Sequence, residues 1–251
     1  MPPTVHCVRH AQGFHNLSAA NHNMHDPLLT DLGHEQCKTL GHDFPYLSNV
    51  DLIVASPIKR TIYTALEAFE GIIRKKDVKV VALPEVQETS DLPCDTGSDR
   101  AELEKEFEGR PVDLALVKDD WNNKRGRWAP TATAIQSRAG EARLWLMNRP
   151  EKEIIVVTHG GFLHYFTEDF SDTARFVGTG WNNTEYRSYT FSAHQPLEAH
   201  LIETPESESR RRHADETNKD LSKEEDVNLK RTASRGREHE HEHGQPQQIQ
   251  A

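Results

Sequence analysis

The chain predicts an α/β fold built on a mostly parallel sheet. Four short apolar runs, at 5–8, 51–55, 78–83 and 154–157, read as buried strands, and segments of helical spacing lie between them. The residue types that carry chemistry stand where these runs stop, which is where ligands collect in an open α/β sheet.

Taken in order, the run 5–8 leads straight into Arg9-His10-Ala11. Thr30 is placed to cap a helix over 31–40, because its hydroxyl can accept from an unpaired first-turn N–H. The run 51–55 closes on Ser56-Pro57, and 58–69 then has helical spacing. Arg60 therefore falls in a first helical turn, where backbone donors and the helix dipole favour an anion. The run 78–83 is followed by four carboxylates, Glu85, Glu88, Asp91 and Asp95. Charge then alternates to about residue 130. Thr96 or Ser98 caps a short helix ending at Phe107, Pro111 opens another, and Trp121 to Trp128 form a basic loop flanked by indoles. Lys124, Arg125 and Arg127 in that loop are candidates to bind a second acidic group, with a solvated basic loop as the favoured alternative. A helix over 134–147 places Trp145 and Leu146 in the core, and the run 154–157 delivers His159 beside Gly160 and Gly161, which open a further helix.

Two arginines and two histidines, Arg9, His10, Arg60 and His159, thus gather at strand ends. Guanidinium forks match phosphate oxygens and stay charged, while a neutral imidazole is nucleophilic near neutral pH and can take a phosphoryl group covalently. With that much fixed positive charge no metal is needed, and no cofactor motif occurs.

These residues resemble the histidine phosphatases, also called the phosphoglycerate-mutase-like superfamily. Arg9 to Asn16 resembles the family's Arg-His-Gly signature with its later Asn, and Leu29-Thr30-Asp31-Leu32-Gly33-His34-Glu35-Gln36 its Leu-Thr-x-x-Gly-x-x-Gln helix start. Ser56-Pro57-x-x-Arg60-Thr61 and Thr158-His159-Gly160-Gly161 follow in the family's order. The resemblance runs from about residue 4 to 191, and the look is that of fungal and plant members. It implies a three-layer α/β/α sandwich with a small cap insertion at about 89–130 that selects the substrate. It implies a phosphomonoesterase in which His10 attacks phosphorus, Arg9, Arg60, Asn16, His159 and Gly160 hold the phosphate, and a carboxyl group protonates the leaving alkoxide. Glu88 fits that role best, with Glu85, Asp91 and Asp95 as competitors. Two departures stand out. Ala11 replaces the usual Gly and is expected to set a methyl beside the pocket, and Tyr63 replaces a common Gln.

Two other functions use the same residues. A phosphoglycerate mutase must retain a bisphosphorylated intermediate, but 89–95 reads Thr-Ser-Asp-Leu-Pro-Cys-Asp rather than a Glu-Arg-His-Tyr-Gly run, and its acidity should repel a second anion. An inactive phosphate-binding scaffold would have no use for His10 and Glu88.

Composition sets the remaining expectations. A formal net charge of −10 disfavours nucleic acid as a partner, leaving a small phosphorylated substrate. Three cysteines without metal spacing, no leading apolar segment and no membrane-length run suit a cytoplasmic or nuclear protein. The catalytic domain is expected over 1–202, with a charged, disordered tail over 203–251. The other histidines, among them His6, His15, His22, His25, His34, His42 and His164, are read as structural or exposed. In the tail, Glu238 to His243 alternates Glu and His, and Arg231-Thr232-Ala233-Ser234 loosely suits a basophilic kinase.

Overall fold

The computed structural model describes residues 2–169, 180–193, 198–214 and 230–232. Seven strands form one sheet: β1 (Thr4–Arg9), β2 (Leu52–Ala55), β3 (Val80–Ala82), β4 (Val112–Asp113), β5 (Glu153–Thr158), β6 (Tyr186–Phe191) and β7 (Leu201–Glu203). Their order across the sheet is β4-β3-β2-β5-β1-β6-β7. The first five are mutually parallel, and β6 runs antiparallel to both its neighbours. The helices are α1 (Asp31–Asp43), α2 (Lys59–Ala68), α3 (Glu70–Lys76), α4 (Arg100–Glu106), α5 (Ala132–Met147), α6 (Gly160–Phe166) and α7 (Pro205–Ala214).

The strands read as apolar on consecutive residues because both faces of the sheet are covered. Alternation assigns the faces. Ile53, Ala55, Ile155 and Val157 pack with Leu40, Ile62, Ile72 and Leu103 of α1 to α4, whereas Leu52, Val54, Ile154 and Val156 pack with α5 and α6. In α5 the buried series Ile135, Ala139, Ala142 and Leu146 marks one helical face, with Leu146 fully buried and Trp145 half-buried at its edge. This is the expected three-layer sandwich. Thr30 caps α1 by accepting from Gly33 N at 3.1 Å, and Thr131 caps α5 in the same way.

The insertion differs from its expected form. Pro111 opens no helix; the next residues pair with β3 as the edge strand β4. Trp121 is no rim residue of a solvated loop but a core residue, packed with Leu103, Phe107 and Val117, and its Nε1 donates to Ser98 O at 3.2 Å. Tyr63, on α2, donates to Glu106 of α4 and packs on Phe107, so it fastens the insertion.

The ordered fold also runs past the boundary expected at 202. Glu203 closes β7 and accepts from Arg211 of α7 at 2.9 Å, while Ser207 Oγ accepts from Ser188 N of β6 at 3.0 Å. Low apolar content misled the reading here, because α7 is tied on by polar contacts. Further on, Thr232 bonds Tyr165 of α6 at 2.7 Å. The Glu-His repeat and Ser234 lie outside the described residues.

Candidate active site

Three strand ends build the centre. β1 ends at Arg9 and hands His10 to the loop; β2 ends at Ala55, so that α2 carries Arg60 in its first turn; β5 ends at Thr158, and His159 caps α6. Since β1, β5 and β2 are adjacent and parallel, these residues meet at one edge of the sheet.

His10 Nδ1 lies 2.7 Å from Ala11 O, and a carbonyl can only accept. Nδ1 therefore carries the ring proton and Nε2 keeps its lone pair. Arg60 Nε donates to that Nε2 at 3.2 Å. Burial, and after it the charges of Arg60 and Arg9, hold the His10 pKa well below the usual 6.5, so the ring is neutral and nucleophilic at physiological pH. The Ala11 side chain is fully buried in the core, and its N–H donates to Thr64 Oγ1 of α2 at 3.0 Å.

Arg60 is the hub. Its Nη1 donates to Cys94 O at 2.5 Å, and its Nη2 reaches both Asp95 Oδ1 and His159 Nδ1 at 3.0 Å. His159 Nδ1 must then accept, so its Nε2–H donates to Ser56 Oγ at 2.9 Å. The His10 and His159 ring centroids are 5.2 Å apart, and His159 too is held well below its usual pKa by burial and Arg60. Asp95 is the counter-ion of Arg60, both partners being buried, and its other oxygen accepts from Ser90 at 2.5 Å. Arg9 is anchored through Trp181 O. Asp26 couples the hub to the insertion, its two oxygens accepting from Lys59 N at 2.9 Å and Ser98 N at 2.8 Å.

Glu88 lies beside the start of α6, the helix that His159 caps. Its Oε1 accepts from Thr89 N at 2.7 Å and its Oε2 from Gly161 N at 3.2 Å, so the helix that follows His159 also holds this carboxyl. Close approach requires glycine: a Cβ on Gly161 would lie 2.7 Å from Glu88 Oε1. The backbone behind Glu88 is gripped by the buried Arg138 of α5, which donates to the carbonyls of Glu85 (2.7 Å), Gln87 (2.6 Å) and Glu88 (3.1 Å). Of the competing carboxylates, Glu85 pairs with Arg127 at 2.9 Å and Asp91 lies 3.9 Å from Arg231, while Asp95 serves Arg60.

Asn16 acts locally, its Oδ1 accepting from Gly13 N at 3.0 Å to close the turn Phe14–Leu17. Its neighbour His15, read as structural or exposed, is buried with its ring 5.3 Å from that of His10. Lys124 of the basic loop turns inward, its ammonium donating to Glu88 O at 3.2 Å, which departs from the solvated alternative. His15 had one available signal, its place inside the Arg9-to-Asn16 signature. Arg138 had none, since an arginine on an amphipathic helix is ordinarily exposed. His6, by contrast, is structural as expected, bonded to Ser188 at 2.8 Å and stacked on Tyr46.

A parallel α/β sheet with a neutral histidine and two arginines at its strand ends, and a carboxyl group held at the start of the helix that follows His159, has the residue types that phosphoryl transfer needs. Consistent with this, the histidine phosphatase superfamily (branch 1) model matches residues 5–204, and the chain belongs to that family. A probable phosphatase of Schizosaccharomyces pombe is 32% identical over 166 residues, covering 65% of this chain and 76% of its own. A phosphoglycerate mutase-like protein of Arabidopsis thaliana is 28% identical over 227 residues, covering 74% and 83%. Among solved structures, the ecdysone phosphate phosphatase of Bombyx mori in complex with tungstate superposes with a TM-score of 0.55 at 17% identity, covering 80% of this chain and 92% of that one, which supports the fold.

Proposed function

We propose that the protein is a phosphomonoesterase that works through a phosphohistidine on His10. The observation that carries this reading is the His10 ring itself, with Nδ1–H fixed on Ala11 O and the Nε2 lone pair turned toward the Arg60 guanidinium. A phosphomonoester dianion binding there meets Arg60 and Arg9, with His159, Asn16 and the first N–H groups of α6 at Gly160 as further contacts. Nε2 forms a bond to phosphorus as the P–O bond to the alcohol breaks, and Glu88 in its acid form gives its proton to the departing alkoxide. A water molecule then attacks the phosphohistidine, losing its proton to the Glu88 carboxylate, and inorganic phosphate leaves with His10 restored. Arginine charge stabilises both steps without a metal ion. The phosphatase name of the yeast relative agrees with this chemistry. No described helix is long and apolar enough to cross a membrane, and all three cysteines are free, which fits the cytoplasmic setting we infer.

Rapid-quench labelling with a radioactive phosphomonoester tests the proposal. An acid-labile, base-stable adduct should form and should vanish in His10→Ala. Full turnover by His10→Ala, or a rate that exhaustive chelation abolishes and one divalent ion restores, would refute it.

A further inference from the structure

The insertion supplies three basic residues over the site, and the structure treats them differently. Arg125 is exposed. Arg127 is consumed by Glu85 and Glu141 and lies 4.4 Å over the Trp128 ring. Lys124 alone of the three turns its charged end inward. Its ammonium makes a single hydrogen bond among the described residues, to the Glu88 carbonyl, and no ion pair. An ammonium has three donors, so two remain with no protein acceptor in a half-buried setting, a costly arrangement unless a ligand takes them.

Two further features set this lysine apart. Its backbone is left-handed, at φ 55°, a region that an unbranched side chain enters only when its surroundings impose it. Three residues earlier the segment is pinned by the buried Trp121, whose carbonyl accepts from Nε2 of Gln87, the residue before Glu88, at 2.8 Å. The charged groups around the ammonium are Arg138 on α5, Asp95 and Glu88 on the loops after β3, Arg60 on α2 and His159 at the head of α6. Neither acidic group spends its carboxylate on Lys124, because Asp95 is held by Arg60 and Ser90, and Glu88 by Thr89 N and Gly161 N. Within the acidic run after Glu88, the charge of Asp95 is offset by Arg60.

Resting on the phosphatase reading above, we propose that Lys124 is a specificity-determining residue that binds a second anionic group, a carboxylate or another phosphate, on the alcohol portion of the substrate near the ester oxygen. The placement follows from its neighbour. Glu88 serves the leaving oxygen, and Lys124, bonded to the Glu88 backbone, faces that side of the scissile bond rather than the oxygens gripped by Arg9 and Arg60. Burial and the Arg138 charge hold the Lys124 pKa down at about 7, and a bound anion would favour its charged form, so recognition weakens as pH rises above neutrality.

The test is binding with turnover switched off. Calorimetry on the full-length His10→Ala chain compares 2-phosphoglycerate with glycerol 2-phosphate, which has a hydroxymethyl group where the first has its carboxylate; fructose 1,6-bisphosphate against fructose 6-phosphate asks the same of a second phosphate. The anionic member of at least one pair should bind about tenfold more tightly or better, and adding Lys124→Met should erase most of that preference while Lys124→Arg keeps part of it. In the Lys124 protein the preference should also shrink between about pH 6 and pH 9, a measurement needing no substitution at Lys124. Absence of preference in both pairs, equal weakening of both members by Lys124→Met, or a preference indifferent to pH would each overturn the assignment. Failure of the phosphatase reading would show separately, as absence of turnover by the wild-type chain.

Discussion

Gly161→Ala is the sharpest probe of the claim that Glu88 is the proton donor, because the substitution removes no reacting group and only displaces the carboxyl. The new Cβ would stand 2.7 Å from Glu88 Oε1, 3.0 Å from Thr89 Oγ1 and 3.3 Å from Glu88 Cδ. An ordinary contact needs about 3.4 Å, so the carboxyl must retreat by about 0.7 Å. Retreat along that line also stretches the bond from Gly161 N to Oε2, already 3.2 Å, beyond useful hydrogen-bond length. Displacements of this size cost on the order of 10²-fold when they fall on a catalytic group. An alkyl phosphate, whose alkoxide leaves only if protonated, should therefore lose about 10- to 100-fold in kcat/KM, while para-nitrophenyl phosphate, which leaves unaided, should lose far less in the phosphorylation step. Burst kinetics separate that step from the later hydrolysis. Alanine is also the better helix former, by about 1 kcal/mol, so thermal stability should hardly suffer. Equal losses on the two substrates, or no loss on either, would refute Glu88 as the acid.

Three further outcomes follow from other parts of the molecule. Arg138→Leu leaves the carbonyls of Glu85, Gln87 and Glu88 without their shared donor, and should cost about 3 kcal/mol or more in chemical denaturation along with the same leaving-group selectivity as Gly161→Ala; wild-type stability would contradict this. His10, His15 and His159 all sit well below pKa 6.5 through burial, so below that pH the unfolded chain takes up protons that the native fold refuses, and stability present above pH 6.5 is lost on acidification. His15→Asn should reduce that slope by about 1.4 kcal/mol per pH unit, and an unchanged slope in urea titrations would count against a buried neutral His15. Finally, ending the chain at Ile202 should lower the melting temperature by several degrees, whereas ending it at Ala214 keeps α7 and Glu203 and should lower it less; identical melting of the two truncations would deny α7 its place in the fold.

What the sequence discloses here tracks which interactions are local. Strands β1, β2 and β5 were legible because two-sided burial makes them continuous apolar runs, and Arg9, His10, Arg60 and His159 because each lies a few residues beyond such a run. Trp121 and Pro111 were misread because neighbouring charge says nothing of an indole whose Nε1 finds Ser98 O, or of a two-residue pairing with β3. Asp26 and Arg138 are invisible as contributors for the same reason. Their partners lie 33 and about 50 residues away, and each spends its charge on backbone groups that no residue pattern marks. β7 and α7 are missed on different grounds, since a polar helix fastened by Arg211 and Ser207 has the composition of a solvated tail.

The two halves of the proposed chemistry depend on one another through Arg60. Its Nε donates to the lone pair that His10 needs for attack, and its Nη2 spans His159 and Asp95. An incoming phosphoryl group must exchange with these contacts. When its oxygens take the guanidinium donors, Nε2 of His10 is released in the same event that brings phosphorus to it, while Ala11 O keeps the ring oriented. Asp95 remains behind Arg60 throughout, offsetting a charge that would otherwise be buried alone at a cost of several kcal/mol. In the proposed chemistry a phosphate dianion competes for the arginine donors, which water or a neutral alcohol does not do, and this favours a phosphoryl group at the His10 lone pair.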